Sequence, residues 1–183
     1  MAHRIEVFTL VNDSKSSVMQ KRLRSFGFDV SEARVIELYT INKNFTEHAL
    51  TRIAEMLSNP VTQNYRIDDY DQSDFDFALE IGFLPGVTDN VANTARESIE
   101  DLLKTKFENE ESIYSSILIL TKGKADAKKI GKTLANELIQ SIRIKNRGEF
   151  AEEKGMDIQI PKVHLKSRPE ADEVDLNLSE EEL

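Results

Sequence analysis

The chain has 183 residues, 39% of them hydrophobic and 31% charged, with a formal net charge of −9. This composition excludes chain-wide disorder and suits one core of ordinary size or two small cores sharing an interface. The absence of cysteine excludes a disulfide scaffold, thiolate-bound zinc and a cysteine nucleophile.

The charge is unevenly placed. Residues 147–183 hold 11 acids against 5 bases, a charge of −6, which leaves −3 for residues 1–146. A nearly neutral body with an acidic tail lacks the field that phosphate backbones require, so no nucleic acid partner is expected. No stretch approaches the roughly 20 continuous apolar residues of a membrane span, and Met1-Ala-His-Arg-Ile-Glu6 is charged where a signal peptide is apolar. The expectation is a cytoplasmic protein with no membrane partner.

In chain order, residues 4–11 alternate at period two and predict a strand that stops at Asn12-Asp-Ser14. Residues 14–28 predict a helix with Val18, Met19, Leu23 and Phe26 as its apolar positions and Gly27 at its end. Residues 33–41 are rich in β-branched and aromatic side chains and predict a strand. Asn44-Phe-Thr-Glu47 caps a second helix whose face is Ala49, Leu50, Ile53, Ala54 and Leu57, and Asn59-Pro60 ends it before a short strand at 64–67. The same order then recurs: strand at 75–83, helix at 88–104, strand at 112–120, helix at 125–138, short strand at 141–144.

The recurrence is visible in the letters. Leu57-Ser-Asn-Pro-Val-Thr-Gln-Asn-Tyr-Arg-Ile67 returns as Leu134-Ala-Asn-Glu-Leu-Ile-Gln-Ser-Ile-Arg-Ile144, with Leu, Asn, Gln, Arg and Ile matching at an offset of 77 residues. That period is too long for a solenoid unit and right for a small domain. Glu6 aligns with Glu80 at offset 74, and Met19, Leu23 and Phe26 align with Ala95, Ile99 and Leu102 at 76. The boundaries that follow are 1–70 and 71–146 for the two repeats and 147–183 for an acidic linker. Each repeat reads as α+β, its helices covering one sheet face and the other half of the chain covering the opposite face. Within the tail, Ser179-Glu-Glu-Glu182 matches a capping box and predicts a helix starting there, so the chain reads as part of a longer polypeptide, the other reading being an acidic tail with a chance match.

The motif Leu84-Pro-Gly-Val-Thr-Asp-Asn90, between a strand at 78–83 and an Ala-containing helix, resembles the start of the small structural subunit (S subunit) of phosphoribosylformylglycinamidine synthase. Arg34-Val-Ile-Glu-Leu38 and Asn59-Pro-Val-Thr-Gln-Asn-Tyr-Arg-Ile67 resemble that subunit's Val-Ile-Glu-Leu strand and its closing segment. Two such units in tandem resemble the N-terminal domain of the large, single-chain synthase. Each half keeps part of the pattern: Val11-Asn-Asp-Ser-Lys15 stands where the first Pro-Gly-Val loop would be, and Glu137-Leu138 replaces Pro60-Val61.

The resemblance implies two tandem ferredoxin-like (βαββαβ-type) units forming a pseudodimer, followed by an extended acidic linker. It implies a noncatalytic scaffold in an ATP- and glutamine-dependent ligase of purine biosynthesis, which converts formylglycinamide ribonucleotide to formylglycinamidine ribonucleotide. The scaffold bridges the synthase and glutaminase domains of the same polypeptide and supports ammonia transfer between them. ATP and magnesium are implied for the parent enzyme; for this segment no catalytic, cofactor or metal residue is expected. The candidate interface is Pro85, Gly86, Val87, Thr88, Asp89 and Asn90, where a helix start presents free N–H groups beside a strand-to-helix turn.

Other motifs weaken on inspection. Gly131-Lys132-Thr133 resembles the end of a phosphate loop, but Asp126 stands where the pattern demands glycine. Asp69, Asp71, Ser73 and Glu80 have calcium-loop spacing, yet Asp74 holds the glycine position, and a solvated linker explains the acids. His3, His48 and His164 share no metal-ligand spacing and read as surface residues. Two further functions compete with the scaffold: a free-standing regulatory module binding a small effector between the repeats, and an RNA-binding ferredoxin-like module. The second would need aromatic residues on strands 34–38 and 116–120, which have none.

Overall fold

The computed structural model describes residues 2–11 and 13–161; the capping box at Ser179, and His164, lie outside them. The elements are β1 (His3–Thr9), α1 (Ser14–Ser25), β2 (Val30–Asn42), α2 (Glu47–Leu57), β3 (Gln63–Ile67), β4 (Phe77–Phe83), α3 (Asn90–Leu103), β5 (Ser112–Gly123), α4 (Ala127–Leu134), β6 (Gln140–Asn146) and α5 (Arg147–Glu152). The fold is α+β. One six-stranded antiparallel sheet runs β3-β1-β2-β5-β4-β6, so the two halves join edge to edge through β2 and β5.

Each half supplies three strands with a middle strand flanked by two others, β3-β1-β2 and β6-β4-β5. The position outside β2 that a further strand of the same half would fill is taken by β5, and β2 fills it for the other half. Pairing is matched as well: Glu6 stands opposite Leu38 and Arg66, and Glu80 opposite Leu118 and Arg143. Both central strands carry apolar residues on both faces because packed segments cover the sheet on each side.

Helices α1 to α4 cover one sheet face in two separate clusters, and each cluster draws on both halves. Ile53 and Ala54 of α2 pack with Ala92, Ala95 and Ile99 of α3 over Ile5, Val7, Tyr39, Ile41 and Ile113. Leu23 of α1 packs with Ala127 and Ile130 of α4 over Ala33, Leu79, Ile81 and Ile119. Between them the layer parts. Glu37 and Ile117, which face each other across the central ladder, belong to neither cluster, and Ile117 is 44% exposed.

The opposite face is where expectation and structure differ. Because the halves lie side by side in one sheet, neither can cover the other; the crossover 68–76 and the segment after β6 do so instead. Tyr70, Phe75, Phe150 and Met156 lie on Phe8, Ile36, Leu38, Ala78, Leu118 and Leu120, with Phe150 edge-on to Phe75 and Tyr70. The solvated linker read at 68–76 is therefore a packed strap. The linker assigned from 147 likewise begins with α5, opened by a reciprocal capping box between Asn146 and Glu149, and its continuation to Pro161 lies against the sheet residues described below.

Local details follow from the sequence with adjustments. Thr46, not Asn44, caps α2, accepting from the Ala49 N–H. In α1 only Leu23 of the expected face is fully buried; Val18 and Phe26 are 63% and 51% exposed, and the buried Ser16 instead accepts from the Val35 N–H at 2.8 Å. Helix α4 ends at Leu134 because Asn136 closes a turn. Its side chain accepts from Leu138 N–H, its carbonyl accepts from Gln140 N–H, and Gln140 Oε1 takes the Asn136 N–H. Asn59 and Gln63 make the same three bonds after α2, with Val61 in the place of Leu138.

Candidate functional site

The loop after β4 is built by ordinary turn chemistry. Leu84 N–H donates to the Ile139 carbonyl at 2.9 Å, Val87 N–H closes back on the Leu84 carbonyl, and Gly86 takes φ +85°, which a glycine adopts without strain. Asp89 then caps α3 by accepting from Ala92 N–H. The same carboxylate accepts the Ser115 N–H at 2.7 Å and the Ser115 hydroxyl at 2.9 Å, which ties the helix start to β5.

Beside this loop is a pocket of about 450 Å³. Of the six expected interface residues, Pro85, Gly86, Val87 and Asp89 line it and Thr88 and Asn90 do not. Its floor is the uncovered end of the sheet, with Glu80, Ser116 and Arg143. Glu80, whose side chain is only 4% exposed, accepts from the Ser116 hydroxyl at 2.8 Å and pairs with Arg143 at 2.6 Å and with Arg4 at 3.4 Å. A carboxylate this deeply buried needs such partners, because desolvation of an unpaired charge costs several kcal/mol or more, on the order of the net stability of a whole domain.

The segment beyond α5 leads to the pocket and is held by the same cations. The Met156 and Asp157 carbonyls accept from the two terminal nitrogens of Arg4, and Asp157's carbonyl also takes Arg143. Lys145 donates to the Gly155 carbonyl and to the Asp157 carboxylate and pairs with Glu153. The bond from Lys145 holds the Asp157 carboxyl below its ordinary range. Gln159, Ile160 and Pro161 follow at the mouth. Burial pulls the Arg4 guanidinium below its usual value, with Glu80 opposing.

In the first half the matching place is filled by side chains. Arg66 pairs with Glu6 at 2.9 Å and with Asp71 at 2.7 Å, Arg34 pairs with Asp71 at 2.9 Å, and both guanidiniums lie over the Phe8 ring, at 4.2 and 5.2 Å from its centroid. Burial raises the Glu6 carboxyl, with Arg66 pulling against it. For Asp71 burial also pushes upward but is outweighed by its bonds to Ser73 and by the two arginines, so its pKa is lowered. Glu6–Arg66 and Glu80–Arg143 are thus register partners of one kind, and they explain why Arg recurs at offset 77 and Glu at 74.

The remaining motifs find structural uses. Gly131-Lys132-Thr133 lies inside α4, where an added Cβ at Gly131 would meet Ile142 at 2.8 Å; the glycine permits close packing on β6, and the segment does not fit a phosphate cradle. Asp71, only 1% exposed, is committed to two arginines. His3 is not a surface residue: it is buried on β1, with Nδ1 2.7 Å from Asp68. Among the described residues no group of three or more His, Asp or Glu could hold a metal, and no helix is long and apolar enough to cross a membrane.

Compared with models of protein families and with curated proteins, the chain matches none. The site therefore rests on its own geometry. The sequence singles out the Pro85 loop but not the residues that the structure sets beside it, Glu80, Ser116 and Arg143, with Arg4 behind Glu80. Part of the signal was present, since both Glu80 and Arg143 align with first-half counterparts.

Proposed function

We propose that the chain is a noncatalytic scaffold of the S-subunit type in a phosphoribosylformylglycinamidine synthase, formed by two tandem ferredoxin-like units paired as a pseudodimer. The observation that carries this reading is the double occurrence of one arrangement. In both halves a strand Glu meets an Arg on the neighbouring strand, after a helix closed by the same Asn–Gln turn. On the central ladder Leu38 pairs with Ser116 and Ile36 with Leu118. If Leu38 matches Leu118, as their places opposite Glu6 and Glu80 imply, these pairs interchange about Glu37 and Ile117, as an approximate two-fold requires. The Pro-Gly-Val turn, carried by the second copy alone, makes one end of the pair different and supplies a surface for a synthase or glutaminase domain. The carboxylates there are held by arginines and helix-capping bonds, which suits docking rather than bond chemistry.

The test is reconstitution. Synthase and glutaminase parts of such an enzyme, expressed without their own S-like domain, should bind this chain and recover glutamine-dependent formation of the amidine, while the chain alone turns over neither ATP nor glutamine. Turnover by the pure chain, or full glutamine-dependent activity in its absence, defeats the proposal. The pocket beside Pro85 favours a second reading, an effector-binding module, which predicts saturable binding of a small metabolite by the isolated chain in calorimetry and loss of that binding in Arg143→Met.

A further inference from the structure

The helical layer is electrically polarised in a way the net charge conceals. Helices α1 and α4, joined by one apolar cluster, carry Lys15, Lys21, Arg22, Arg24, Lys128, Lys129 and Lys132 and no acid at all. Helices α2 and α3, joined by the other cluster, carry Glu47, Glu55, Glu97, Glu100 and Asp101 against Arg52 and Arg96. Lys15 is occupied by Glu37, and Glu100 by Lys106 and Arg96. Lys21, Lys128, Lys129 and Lys132 on one side, and Glu47, Glu55, Glu97 and Asp101 on the other, are exposed and make no ion pair among the described residues.

An exposed charge cluster alone is an ordinary solvated face. Here the two faces complement each other on one molecule, and the seam between them exposes Ile117 at the centre of the sheet. Val18 of α1 and Val91 of α3 are also more than half exposed. Apolar residues exposed singly are ordinary, so the complementary charge of the two faces carries the contact.

We infer that this layer is the interface between two copies of the chain. Two layers stacked about a two-fold can meet in two ways. One lays basic helices on basic helices; the other lays α1 and α4 of each copy on α2 and α3 of its partner and brings the two Ile117 seams together. Charge selects the second, and like-charge juxtaposition suppresses the first.

Sedimentation equilibrium of the full chain across a salt series tests this. At about 0.01 M ionic strength, where the Debye length is about 30 Å, the mass should be twice the 20.9 kDa of one chain, and it should fall to one chain by about 1 M, where screening acts within about 3 Å. The triple variant Lys128→Glu, Lys129→Glu, Lys132→Glu should stay monomeric at low salt, as should Glu47→Lys, Glu55→Lys, Glu97→Lys. An equimolar mixture of the two should form a heterodimer, because the two altered faces meet at one contact and the two unaltered faces at the other, opposite in charge at each. A single-chain mass at every ionic strength overturns the inference, and so does a dimer that survives in either variant alone.

Discussion

Arg66→Met removes the one side chain that hydrogen-bonds Glu6 among the described residues and takes away one of two arginines from Asp71. Glu6 and Asp71 are 3% and 1% exposed at the side chain and Arg66 19%, so solvent screens this pair little. Removing one partner of such a pair costs about 3–5 kcal/mol, most of it the burden of the charge left behind. Methionine keeps much of the aliphatic stem and loses the guanidinium that lies over Phe8, so the cation–π contact goes together with the ion pairs and only a small volume is vacated.

The pH dependence identifies the charge responsible. Burial already raises the Glu6 carboxyl above its ordinary 4.5, and without Arg66 it rises further. A raised carboxyl contributes stability that is full below the unfolded value and is lost as pH climbs through the folded value. The deficit of Arg66→Met should therefore be largest at neutral pH and shrink toward pH 4.5. Urea unfolding at about pH 7.5 and about pH 5 measures it. At neutral pH the expected loss is about 3–5 kcal/mol, a fall in Tm of about 6–20 °C for a chain of this size. Adding Glu6→Gln should recover part of the loss, since an amide leaves no buried charge. A deficit below about 1 kcal/mol, the worth of an exposed pair, or one that is flat with pH, would refute the reasoning.

Two further expectations concern the turns. Gly123 has φ +142°, and an added Cβ would lie 2.2 Å from the Asp29 carbonyl oxygen, so Gly123→Ala should cost about 3 kcal/mol or more; Gly27→Ala, at φ +84° in open space, should cost about 1–2 kcal/mol. Equal urea midpoints for the two would contradict this. Asp89→Ala should cost about 2–4 kcal/mol through the lost cap and the two lost bonds to Ser115, with faster amide exchange at Ala92 and Ser115, whereas Asp89→Asn should lose less because an amide oxygen still caps.

Much of the fold was legible because its signals are local. Leu50, Ile53 and Ala54 are buried where helical spacing places them, and Gly27 has the positive φ its position demands. The recurring Leu-x-Asn-x-x-x-Gln-x-x-Arg-Ile reports a turn lock, a strand Arg aimed at a Glu, and core contacts at its two ends. What escaped was mostly non-local. Nothing in Arg34-Val-Ile-Glu-Leu38 states that it pairs with Ser116–Leu120 rather than ending a sheet, because an interior strand looks the same whichever strand lies beside it. The cover on the second face escaped because acids dominate 68–76 and hide Tyr70 and Phe75. Helix α5 escaped although its signal is local, since Asn146 and Glu149 stand at capping-box spacing at the start of the segment read as linker.

The central ladder also governs how the molecule comes into being. Leu38 meets Ser116 only when residues 78 positions apart come together, and contacts of such separation are slow to form. Until β5 has left the ribosome, β2 presents an open edge bearing Ile36, Leu38 and Ile41, the kind of strand that recruits other chains. The helices cannot shelter that edge early, since each apolar cluster takes one helix from each half. The first half is therefore synthesised as a template without its complement, and chaperone demand should peak in the interval between the emergence of residue 42 and that of residue 123.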